Sequence, residues 1–192
     1  MLRIQPRSVR SAGLLVRLSY WYARRKFGNV PAPLGILAHN RWVLVANAGY
    51  ELAQERAHAA DPRLKHLVNL KVAMEVGCRF CIDIGSSVAK QGGIRQEELT
   101  ALPEYRDSPL FSSLDRRALD YAVCMTRAPM VVPPELSAEL TARLGVPALV
   151  ELTAVIAWEN YRSRFNHAFG AEEEGYSEGS LCLLPAHEGA HP

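Results

Sequence analysis

A chain of 192 residues, 48% hydrophobic and 22% charged, is the size of one domain with an arm or a tail, and it can bury a core. No apolar run approaches the roughly 20 residues needed to span a bilayer. The apolar "AGLLV" is too short for a secretory h-region and is followed directly by Arg17, so a soluble, cytoplasmic protein is expected. The net charge of +2 is unevenly spread: Arg3, Arg7, Arg10, Arg17, Arg24, Arg25 and Lys26 give residues 1–30 a charge of +7 with no acid, and the rest sums to −5. Charge alone does not make a nucleic-acid site, and none is expected. The plain reading of 1–30 is a basic helical arm that docks on the body or on a neighbouring subunit. Membrane-surface contact by "VRSAGLLVRLSYWYARRKFG" is the alternative.

Strand signals are nearly absent and helical periodicity recurs, predicting an all-α fold. In chain order, helices are expected at 8–27, 33–58, 62–76, 78–92, 95–101, 112–127, 133–144 and 146–169. Breakers separate them: Gly28 and Pro31, Asp61-Pro62, Gly92-Gly93, Pro103, Pro129, Pro133-Pro134, and Gly145 with Pro147. Residues 31–170 then form the helical domain. Residues 171–192, "AEEEGYSEGSLCLLPAHEGAHP", lose the pattern and read as a C-terminal tail or a packing strap. "LVNLKVAMEVGCRFCIDIG" from Leu67 can be laid over "LVELTAVIAWENYRSRFNH" from Leu149, which sets Cys78 on Asn160, Cys81 on Ser163 and Gly85 on His167. Helix periodicity alone explains the three identities, Leu67/Leu149, Val68/Val150 and Leu70/Leu152; a duplicated helical hairpin is the alternative.

The four cysteines are Cys78, Cys81, Cys124 and Cys182, and the first two form a C-x-x-C. On a helix these two share a face. Gly77 immediately precedes them, and at a helix start the free N–H groups and the positive dipole end favour thiolate. A neighbouring thiol then resolves a sulfenic acid to a disulfide. A zinc site needs two more ligands, and no second C-x-x-C supplies them; no metal or other cofactor is expected. Two inert core thiols are the remaining option. A proton shuttle for the thiols has local candidates in His66, Glu75 and Asp83, each also readable as an ordinary surface or capping residue. A second polar stripe, Asn160, Arg164 and His167, follows the apolar "LVELTAVIAW" and reads as a buried network or a site wall.

The run "LVNLKVAMEVGCRFCIDIGSSVAKQGGIRQEELTAL", Leu67 to Leu102, resembles the carboxymuconolactone decarboxylase family, also called the alkylhydroperoxidase D-like (AhpD-like) family. "LDRRALDYAVCMTRAP" and "LVELTAVIAWENYRSRFNHAFG" look like the helices that follow, extending the similarity over about residues 35–170. The resemblance implies an all-α homo-oligomer, commonly a trimer or hexamer. It implies thiol-dependent hydroperoxide reduction, with Cys81 peroxidatic, Cys78 resolving and a thiol or dithiol as reductant. The family's glutamate twelve residues before the first cysteine and histidine four after the second fall on His66 and Gly85. His66 is the candidate replacement for the glutamate and His167 for the imidazole. The family's other branch implies a lyase acting on a small carboxylated lactone, with Arg164 and His167 orienting the acid. A non-enzymatic oligomeric protein is the third reading.

Overall fold

The computed structural model describes residues 2–9 and 12–177. Among these residues the fold is entirely helical, as expected. Nine helices are described: α1 (Leu14–Phe27), α2 (Ala32–Leu37), α3 (Arg41–Arg56), α4 (Pro62–Val76), α5 (Arg79–Gln91), α6 (Gln96–Ala101), α7 (Ser113–Thr126), α8 (Pro134–Leu144) and α9 (Val146–Ala168).

Helix α4 is the central post. Leu64, Leu67, Val68, Leu70, Val72, Ala73 and Met74 are all buried, so the helix is apolar nearly all round, and it packs against α5, α7 and α9. Its start is set by Asp61, whose carboxylate accepts the Leu64 N–H at 3.0 Å, and by Pro62 in the first turn. One side of α4, with Leu67, Leu70 and Met74, joins the core of α5, which includes Phe80, Ile82, Cys78 and Cys81. The other side, with Leu64, Val68 and Val72, meets Ala122 of α7, Leu140 of α8 and Leu152 and Ile156 of α9.

Polar clamps fix the helix starts. Glu151 accepts the Ala59 and Ala60 N–H groups and pairs with Lys65 at 2.6 Å, tying α9 to the head of α4. Arg63 bridges Asp115 of α7 and Glu98 of α6. The expected single helix over 33–58 is two helices. Asn40 ends the continuity because its side chain accepts the Trp42 and Val43 N–H groups and caps α3. The arm is also shorter than expected: its helix begins at Leu14, and Val16 and Tyr20 bury against Leu44.

A candidate dithiol site at the start of α5

Gly77 ends α4 at φ 77°, a left-handed conformation that glycine adopts without strain. The Cys78 N–H closes the turn on the Ala73 carbonyl at 2.9 Å. The chain therefore reverses in one residue, and Cys78 becomes the N-cap of α5. Its Sγ accepts the Cys81 N–H at 3.2 Å, the place a serine or aspartate oxygen takes at other helix starts. Cys78 and Cys81 are joined as a disulfide with Cα atoms 5.3 Å apart. Both are buried, at 2% and 7% exposure. The second polar contact comes from α9: the Asn166 Nδ2 donates to Cys81 Sγ at 3.3 Å.

The expected relay residues are distributed differently. His66 does not reach the cysteines. Helices α4 and α5 run antiparallel, so the His66 ring lies against Gly92 at the far end of α5, where a Cβ would stand 2.5 Å from its Nε2. Eleven residues of helix, about 16 Å of rise, separate Gly92 from Cys81. Burial, and then the Lys65 charge, pulls the His66 pKa below the usual histidine value. His167 is exposed on the last turn of α9; its neighbour Asn166 is the residue turned to the sulfur. At Gly85, a Cβ would stand 3.1 Å from Leu70 Cδ2, so the bare backbone serves the approach of α4 to α5.

Glu75 pairs with Lys71 at 3.0 Å and with Arg127 at 2.9 Å beside a cavity of about 220 Å³ that Tyr105 and Arg106 also line. Burial raises its pKa, but the Lys71 and Arg127 contacts outweigh it, and Glu75 is held below the ordinary glutamate value. Asp83 is 1% exposed and faces the segment after α9. Its carboxylate accepts the N–H groups of Glu174, Gly175, Tyr176 and Ser177 at 2.8–3.0 Å. Burial works to raise the Asp83 pKa; the bonds from Ser177, Tyr176 and Glu174 win and lower it. Of the two readings of the C-terminal segment, residues 171–177 take that of a strap. Cys182 lies outside the described residues.

The stripe Asn160–Arg164–His167 divides. Asn160 bonds the Thr126 hydroxyl at 3.0 Å, while Arg164 bonds Asn160 and the Thr126 carbonyl, forming a network with the end of α7. The stripe that runs to the sulfur is Glu159, Ser163 and Asn166, which has the same i, i+4, i+7 spacing one residue earlier and is buried throughout. Ser163 donates to Glu159 at 2.9 Å, Glu159 pairs with Arg162, and Arg162 reaches Glu51 at 2.8 Å. Burial pushes the Glu159 carboxyl above the ordinary glutamate value, against the pull of Arg162. The signal for this stripe was three polar residues at helical spacing downstream of an apolar segment.

Comparison with known proteins follows the same outline. The model of the carboxymuconolactone decarboxylase family matches residues 42–123. The uncharacterized protein YnjA of Escherichia coli (strain K12) is 33% identical over 176 residues, covering 90% of this chain and 92% of YnjA. Among solved structures, the apo debrominase Bmp8 superposes with a TM-score of 0.84 at 20% identity, over 95% of this chain and 98% of Bmp8. The AhpD core of an uncharacterized peroxidase-related protein from Ralstonia eutropha JMP134 gives 0.80 at 15% identity, over 93% and 96%. At these identities the two structures speak for the fold.

Proposed function

This chain belongs to the carboxymuconolactone decarboxylase family, and on that premise we propose that it is a dithiol oxidoreductase that reduces a hydroperoxide through Cys81 and Cys78. The observation that carries the reading is the paired cysteines at the N-terminus of α5, with a helix N–H on one sulfur and the Asn166 amide on the other. Both contacts, and the positive end of the helix, favour a thiolate over a thiol in the reduced protein. Cys81 is the nucleophile and Cys78 the resolving thiol; Cys81 is the less enclosed of the two.

In the first step the Cys81 thiolate attacks the terminal peroxide oxygen. The O–O bond breaks, the alkoxide leaves and takes a proton, and Cys81 becomes a sulfenic acid. In the second step the Cys78 thiolate attacks Cys81 Sγ, the S–O bond breaks, and hydroxide leaves and takes a proton from solvent to become water. The product is the disulfide described above. An external thiol or dithiol returns the two electrons.

The lyase alternative has less support, because Arg164 is committed to Asn160 and the Thr126 carbonyl while His167 points outward. A second redox use of the same pair is reductive dehalogenation, the activity in the name of the structural neighbour Bmp8. One experiment orders these readings: reduced protein is titrated with a hydroperoxide in a stopped-flow instrument, and the Cys78–Cys81 peptide is followed by mass spectrometry. Fast stoichiometric disulfide formation is the expected result; turnover of a lactone by fully alkylated protein would replace the proposal with the lyase.

Family membership also supports a homo-oligomer, and the exposed Leu14, Leu18, Trp21 and Trp42 on α1 and α3 are faces that a second copy would cover. Light scattering at micromolar concentration tests this. No helix among the described residues is long and apolar enough to cross a membrane; a cytoplasmic location is part of the proposal.

A further inference from the structure

The strap after α9 is fastened to the same turns of α5 that carry the cysteines. Arg79, Phe80 and Asp83 are one, two and five residues beyond Cys78, and each holds it. Arg79 pairs with Glu173 at 2.8 Å. The Tyr176 ring stands edge-on to Phe80, with centroids 6.2 Å apart, and meets Phe27 of α1 at 6.3 Å. The Tyr176 hydroxyl donates to Asn29 at 2.6 Å, and the Ala32 N–H donates to Glu174 at 2.8 Å. Asp83 gathers the four consecutive N–H groups of Glu174 to Ser177. Such a nest of backbone donors is a common way to hold an anion; here the anion is the protein's own.

The strap also packs on the apolar cluster that holds the sulfurs. Ala171 is part of the buried cluster that contains Cys78 and Cys81, and Tyr176 and Leu2, from the other end of the chain, pack against it. The strap is held by hydrogen bonds, an ion pair and one ring contact beside the cysteines, while the α4 side of the cluster is continuous apolar core. A segment held in this way opens at lower free energy than the core around it.

We propose that this strap, anchored by Asp83 and wedged by Tyr176, is the size filter of the dithiol: a small reductant reaches the sulfurs with the strap in place, and a protein dithiol only after its release. The proposal rests on the redox reading of the pair and names how its re-reduction is controlled. In that step a thiolate of the reductant attacks one sulfur, the Cys78–Cys81 bond breaks, and a mixed disulfide forms. The reductant's second thiol resolves the mixed disulfide, leaving two protein thiols and an oxidised reductant.

The test compares dithiothreitol with a thioredoxin-type protein as reductant of the full-length oxidised chain. Both rates are read as alkylatable Cys78 and Cys81 by mass spectrometry. Two variants are used. Asp83→Asn weakens the anchor, and Tyr176→Ala removes the wedge while leaving the backbone N–H bonds to Asp83. Each variant is expected to raise the protein-dithiol rate roughly tenfold and the dithiothreitol rate less than about twofold. An unchanged ratio of the two rates in Tyr176→Ala, with its thermal melt still cooperative, overturns the filter. A disulfide that neither reductant opens overturns both the filter and the redox reading. A filtered, reducible pair that leaves hydroperoxide intact supports the filter and overturns the peroxidase reading alone.

Discussion

The two ends of α5 each bring a glycine together with ionisable side chains, and they are opposite in consequence. At the N-terminal end Gly77 turns the chain, and Cys78 and Cys81 sit where helix N–H groups are free. At the C-terminal end Gly92 lies beneath the His66 ring. The negative end of the helix dipole would favour a charged imidazole there, yet burial and Lys65 pull the His66 pKa down. On the proposed dithiol reading the first end favours the ionised form of its group, while the second suppresses it. A reactive residue type is therefore informative only together with the helix terminus it occupies.

The sharpest way to break this contrast is at the nucleophile. Cys81→Ser is expected to lower hydroperoxide turnover by roughly a thousandfold or more, and Cys78→Ser should leave a sulfenic acid that dimedone traps. Peroxide consumption and mass spectrometry check both. Next in size is Asn166→Ala. Loss of its hydrogen bond to the sulfur should weaken support for the thiolate and move the pH–rate profile to higher pH. His167→Ala, the adjacent and exposed residue, should leave that profile in place.

Gly77→Ala places an L side chain at φ 77° and is expected to lower stability by roughly 1 kcal/mol. Chemical denaturation measures it. At Gly92, φ is −79°, so the cost of Gly92→Ala lies in displacing the His66 ring rather than in the backbone.

The two ends also separate by pH. Asp83 has a lowered folded pKa, so its contribution is fully present above the unfolded aspartate value near 3.9 and is lost as pH falls through the folded value. His66 is also lowered, so the unfolded chain takes up a proton first, and stability falls as pH drops from about 6.5 toward the lower folded value. The protection factors of the 174–177 amides against hydrogen exchange should persist at pH 5, while global stability has already begun to decline. The smallest effect is His66→Asn, expected to alter peroxide turnover by less than about twofold.

Much of this contrast was legible beforehand. "GCRFC" marks a helix start, because Gly77 ends one helical pattern and the next begins at once, and that reading places the cysteines correctly. His66 was readable in principle. In an antiparallel hairpin turning at Gly77, a residue eleven positions before the turn lies opposite the last turn of α5, eleven to fifteen positions after it, between Val88 and Gly92. The expectation that His66 folds back to the sulfurs ignored that count. Asn166 was hidden by a register error of one residue, which on a helix is about 100° and exchanges a buried side chain for an exposed one. A strap was one of the two readings of "AEEEGYS", but its anchor was not legible there, because Asp83 recognises backbone N–H groups and leaves no mark on the side chains that carry them. Likewise the break at Asn40 was masked by apolar spacing that continues across it, although asparagine before "RWVL" is a capping signal.

The contact between Gly85 and Leu70 bears on how such a protein could be re-engineered. A histidine introduced at position 85 would bring its Cβ to 3.1 Å from the tip of Leu70, which must give by a few tenths of an ångström before an imidazole is seated there. Positions 70 and 85 are therefore coupled, and a smaller residue at position 70 gives such a histidine room.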